Sequence, residues 1–91
     1  MAMIGEWLKI DEERVVQGLQ EAGQRLDSIE GEVALDFSSV RRLDASALKA
    51  MEEFAGIAED KGVRVVLRAV HVGVYKVLKL VKLTSRLSFV N

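Results

Sequence analysis

Apolar residues alternate with polar ones across positions 33–37, placing Val33, Leu35 and Phe37 on one side, and from Leu48 onward Met51, Phe54, Ala55 and Ala58 recur at threes and fours. A period of two marks a strand and a period near 3.6 marks one face of a helix, so residues 33–57 read as strand, turn and helix without a gap. The period changes between Phe37 and Ala45. At that junction Asp44 is suited to cap the helix, its carboxylate accepting from the amide of Ser46 or Ala47. Ser46 is therefore expected in the first helical turn, just beyond the end of a central strand.

The rest of the chain follows the same alternation of periods. Residues 6–10, with Trp7, Leu8 and Ile10, are expected to form a short edge strand. A helix is expected from Asp11, which can cap it, with Glu12 and Glu13 at the positive end of its dipole and Val15, Leu19, Ala22, Leu26 and Ile29 along one face. Gly18 and Gly23 each weaken such a helix by about 1 kcal/mol relative to alanine, so packing must hold it. Gly31 fits the stop or the turn into Val33. After the connection at 38–43 and a helix from Asp44 to about Asp60, Lys61 and Gly62 mark an end. A strand over 63–70 puts Val63, Val65, Leu67 and Ala69 on one face and Arg64 and Arg68 on the other. A helix over 74–81 turns Val74, Val77, Leu78 and Val81 inward, and 87–90 add a last strand. The order β-α-β-α-β-α-β predicts an α/β domain whose parallel strands are joined by right-handed helical crossovers.

Composition narrows the function. Ninety-one residues with 49% apolar content suit one folded domain over 1–91 with a real core. The chain has no cysteine, which removes disulfides, thiolate metal sites and thiol nucleophiles and fits a cytoplasmic protein. No apolar run is long enough to span a bilayer, and residues 1–10 lack a basic leader, so neither membrane insertion nor secretion is indicated. The net charge of −1 hides a polarised chain. Residues 1–62 carry all 14 acidic side chains against 7 basic ones, a net −7, and residues 63–91 carry 6 basic side chains and no acidic one, a net +6. The simplest account is that the acidic first helix and the basic last helix are neighbours or offset each other across the surface.

Four pieces taken together resemble a known family. The run 35–48, L-D-F-S-S-V-R-R-L-D-A-S-A-L, is similar to the signature of STAS domains, the family of bacterial anti-sigma-factor antagonists. The glycine-led strand K-G-V-R-V-V-L at 61–67, the helix V-Y-K-V-L-K-L at 74–80, and Leu83 with Phe89 continue the resemblance to the C-terminus. It implies a STAS-like fold, a four-stranded mostly parallel or mixed sheet with helices packed on one face. STAS domains usually begin with two strands before the first helix, whereas this chain has room for one, which leaves an open edge inviting a second copy or a partner.

The resemblance also implies a function. Such antagonists bind an anti-sigma factor and release sigma, and phosphorylation by that same kinase-like ATPase breaks the complex. Carried onto this chain the switch hydroxyl is Ser46, and the partner-binding surface is Asp44, Ser46 and Ala47, with Asp36 at the end of the strand beneath and Arg41 and Arg42 on the turn. The physics agrees, because free amides and the helix dipole favour an anion at a helix N-terminus. Of the two hydroxyl positions usual in the family only Ser46 is filled, Ala45 standing at the other and Ala47 replacing a glycine. The alternative is a STAS subunit of an ABC transporter moving lipids, whose same helix presses on the ATPase subunit without phosphorylation.

Little else suggests chemistry. His71 is the only histidine, and no acidic residue accompanies it in the last third of the chain, so it reads as a turn residue rather than a metal ligand or base. There is no nucleophile elbow and no glycine-rich phosphate loop. Glu52 and Glu53 read as a solvated helix face, and Ser38 and Ser39 as turn formers. No enzyme and no cofactor are expected. Lys76, Lys79, Lys82 and Arg86 read as a solvated basic face or as a dock for an acidic surface, a protein ahead of anionic lipid, with nucleic acid last because aromatics are few.

Overall fold

The computed structural model describes residues 7–90. Its elements in order are β1 (Trp7–Lys9), α1 (Val15–Arg25), β2 (Glu32–Asp36), α2 (Ala45–Asp60), β3 (Arg64–Arg68), α3 (Val72–Leu80) and β4 (Ser88–Val90). Short 3-10 turns at Glu12–Arg14, Leu26–Ser28 and Thr84–Arg86 sit at the joints. Glu6, expected in the first strand, and the leader reading over positions 1–6 lie outside the described residues.

The four strands form one sheet in the order β1-β2-β3-β4, every neighbouring pair parallel. Each crossover therefore steps one strand further in the same direction, and crossovers of one hand then lay all three helices on one face. That face carries the row Leu8, Leu35, Leu67 and Phe89 in register across the sheet. Against it pack Leu19, Ala22, Met51, Phe54, Val74 and Leu78, all buried. Fully burying such a side chain is worth about 1.5–3 kcal/mol, so this layer dominates the stability.

The opposite face has no helix. Its middle row is Trp7, Ala34, Val66 and Ser88, yet Ala34 and Val66 are each only 4% exposed. Long side chains roof them. The Arg68 guanidinium lies 4.4 Å from the centre of the Trp7 ring and donates to Asp36 Oδ2 at 3.1 Å, while Arg64 donates to Ser88 Oγ at 3.1 Å and reaches Glu32 at 3.5 Å. Arginines stretched over small apolar residues let a one-sided sheet meet water.

Three local expectations need correction. Asp11 makes no side-chain cap hydrogen bond, and Glu12–Arg14 form a 3-10 turn before α1 begins at Val15. The cause is non-local, since Glu12 Oε1 accepts from the Arg41 amide at 2.6 Å, 29 positions away. Ala69 is not an inward strand residue: β3 ends at Arg68, and Ala69 is exposed with φ of 57°. α3 starts at Val72 and ends before Val81, which is 39% exposed and caps the helix instead of packing inward.

Helices α2 and α3 end in the same way. Past α2, the Val63 amide donates to Ala58 O at 2.8 Å and the Gly62 amide to Glu59 O at 3.1 Å, with Gly62 at φ 70°. Past α3, Leu83 donates to Leu78 O at 2.9 Å and Lys82 to Lys79 O at 3.0 Å, with Lys82 at φ 63°. These are Schellman motifs, which need a left-handed residue just past the helix.

Candidate functional site

The N-terminus of α2 rests on a loop, residues 37–44, that is pinned from several sides. Val40 and Leu43 plug it into the core, and the Val40 amide donates to Phe37 O at 2.9 Å. Asp36 Oδ1 accepts from the Ser38 amide at 2.8 Å, Ser38 O lies 3.1 Å from His71 Nε2, and the Arg41 amide meets Glu12. Gly73 brings the start of α3 alongside, where an added Cβ would stand 3.9 Å from Arg41 O. The contacts from outside the loop come from β2, the turn before α1 and the start of α3, so the loop is held as part of the scaffold. Such anchoring lets exposed loop residues present a fixed surface.

On that base the helix begins cleanly. Asp44 takes extended backbone angles and its Oδ1 accepts from the Ala47 amide at 2.8 Å, while its carbonyl accepts the first helical bond from Leu48 at 2.9 Å. A cap of this kind contributes about 1 kcal/mol. Ala45 and Ser46 follow in the first turn, both exposed. The Ser46 hydroxyl thus stands in solvent at the positive end of a 16-residue helix. Beside it a cleft of about 290 Å³ runs between the start of α1 and the start of α2, with Glu12, Glu13, Gln17, Arg42, Asp44 and Ala47 among its walls.

The structure brings Arg41, Arg42, Asp44 and Ser46 together on one exposed surface. Ala47 joins them from below, its methyl buried and forming the cleft floor. Asp36 does not join them. Its carboxylate lies on the sheet face without helices, its pKa lowered first by the hydrogen bond from Ser38 and further by Arg68. Its reach to the site is indirect, through the Ser38 turn. Two supporting residues escaped the sequence reading. Glu12 looked like a helix-dipole carboxylate and His71 like a bare turn residue, and no local pattern indicates that both brace a loop around 30 positions away.

Among the described residues no group of three or more histidine and acidic side chains could hold a metal ion, and no helix is long and apolar enough to cross a membrane. The arrangement offers an exposed polar surface that carries the Ser46 hydroxyl.

No curated protein matches this chain. Among solved structures, a Thermotoga maritima protein provisionally assigned as an anti-sigma factor antagonist superimposes with a TM-score of 0.73 at 17% identity, covering 92% of this chain and 74% of that one. At that identity the likeness speaks for the fold. A family model described as "Mlab, STAS domain" matches residues 8–89, from β1 through β4. With a four-stranded parallel sheet, three helices on one face and a match across nearly its whole length, the chain belongs to the STAS domain family.

Proposed function

We propose that this STAS domain is a regulatory binding module, an anti-sigma-factor antagonist whose partner is a cytoplasmic, kinase-like anti-sigma ATPase. The partner seats on Arg41, Arg42, Asp44 and Ser46, with part of it entering the cleft above Ala47. Asp36 acts as a positioning residue that holds the Ser38 turn. ATP belongs to the partner. The observation that carries this reading is the exposed Ser46 hydroxyl in the first turn of a capped helix, on a loop braced by Asp36, His71 and Glu12. A phosphate there adds nearly two negative charges where helix amides accept them, so α2 stays folded and the partner is repelled.

The test is capture of partners from native lysate by wild type, Ser46→Ala and Ser46→Asp, each with and without ATP. Wild type and Ser46→Ala are expected to retain a kinase-like ATPase, Ser46→Asp to lose it, and ATP to release it from wild type only. Equal retention by all three proteins with ATP present contradicts the switch.

A second reading has its own support. Only one of the family's two usual hydroxyls is present, Ala45 filling the other position. The same surface would then bind the ATPase subunit of an ABC lipid transporter with no phosphorylation. Capture of a transporter ATPase by all three proteins would establish this reading.

A further inference from the structure

The outward face of α3 is neither core nor ordinary polar surface. Val72 is 72% exposed and Leu80 80%, with Tyr75 at 40% between them. Lys76 and Lys79 are interleaved with these residues, and at about 100° per residue all five lie within an arc of about 140°, opposite the buried Val74 and Leu78. Lys82 follows at the helix end. None of the three lysines has an ion-pair partner among the described residues, whereas the other basic residues of the last third, Arg64, Arg68 and Arg86, are paired with Glu32, Asp36 and Glu59. The excess charge of the C-terminal third is thus concentrated on one apolar-studded helix.

We propose that this face docks on an anionic lipid surface. Charge complementarity requires an anionic occupant, and four features favour a bilayer over an acidic protein. All the unpaired charges are lysines, flexible point charges suited to a diffuse layer of headgroups, where recognition of individual carboxylates favours the arginine fork. Leu80 and Val72 stand out singly among lysines, the pattern by which an interfacial helix inserts apolar tips while lysine stems reach the headgroups. Tyr75, apolar in body and polar at the tip, suits that boundary. A helix of nine residues is also too small to supply the roughly 800 Å² per partner of a stable protein interface. The contact is peripheral and reversible, and it uses none of Arg41, Arg42, Asp44 and Ser46, so it stands whether or not the proposed switch does.

The experiment is co-sedimentation of the full chain with large vesicles, either pure phosphatidylcholine or a mixture with phosphatidylglycerol, at low and at physiological salt. Binding is expected only to the anionic vesicles and is expected to weaken as salt rises. Lys76→Gln/Lys79→Gln/Lys82→Gln should lower the partition coefficient about a hundredfold. Leu80→Ser should lower it roughly tenfold. Circular dichroism checks that both variants fold, as exposed positions should allow. Equal partition onto neutral vesicles, undiminished binding by the lysine variant, or no binding to anionic vesicles at low salt would overturn the proposal. Lysine-dependent retention on poly-glutamate without any partition onto vesicles would assign the face to an acidic protein and overturn it equally.

Discussion

Asp36 shows how one carboxylate can serve several needs at a strand end. It ends β2, accepts from the Ser38 amide that starts the loop, and receives the Arg68 guanidinium that covers Trp7. Its folded pKa is depressed, so the stability it provides is present in full above the ordinary carboxylate range and is lost as pH falls through that range to the folded value. Asp36→Asn keeps an acceptor for Ser38 and loses the charge. We therefore expect the variant to be less stable than wild type at pH 7, with the gap closing as pH falls below about 4. Urea midpoints measured between pH 7 and pH 3 would show this, and parallel curves would contradict it. At the site itself the sequence was informative about Asp44 and Ser46, because capping is a local matter of residue type and spacing. It placed Asp36 with them because a strand end and the next helix start are close in sequence, but alternation sends that side chain to the far face.

At the scale of elements, the sharpest contrast is between the ends of α2 and α3. Both close with the same pair of backbone hydrogen bonds, but one uses Gly62 and the other Lys82 in the left-handed region. A side chain with a Cβ costs about 1 kcal/mol there. Lys82→Gly is expected to gain about 0.5–1 kcal/mol and so raise the melting temperature by several degrees in a domain of this size. An unchanged or lowered melting temperature would show that Lys82 carries no strain. α3 has only nine residues, too few to be helical alone, and it is held by Val74, Leu78 and the edge contact of Tyr75 with Phe89 at 5.2 Å. Strands and helices were legible wherever the hydrophobic period was sustained, as in β2 and α2. Boundaries failed where a residue with no turn signal took a turn conformation, as Ala69 does, or where a distant partner won, as Arg41 does for Glu12.

Across the whole molecule, the acidic and basic parts of the chain meet, but not through the first and last helices. Among the described residues no ion pair joins α1 to α3. The pairs are Asp27 with Lys61, Glu32 with Arg64, Asp36 with Arg68, and Glu59 with Arg86. Three of them link the acidic part of the chain to the basic part through neighbouring strands or through α2, and they leave the lysines of α3 unmatched. The alternation of periods and the hand of crossovers pointed to an α/β domain with parallel strands, whereas the strand order and the pairing of every neighbour in parallel come from the structure. Chain-wide charge counts could not reveal which basic residues are paired, because pairing depends on register across the sheet. The molecule thus has a braced polar surface at the start of α2 and a basic, apolar-studded face on α3.

The proposed protein partner sits on the first of these. The most direct test is amide chemical-shift mapping of the isotopically labelled domain titrated with the captured ATPase. Perturbations are expected to concentrate in residues 38–48 and along the cleft at 12–17, with Ser46→Asp abolishing them if the kinase reading holds. Perturbations confined to α3 or to the edge strands, with residues 38–48 unmoved, would contradict it.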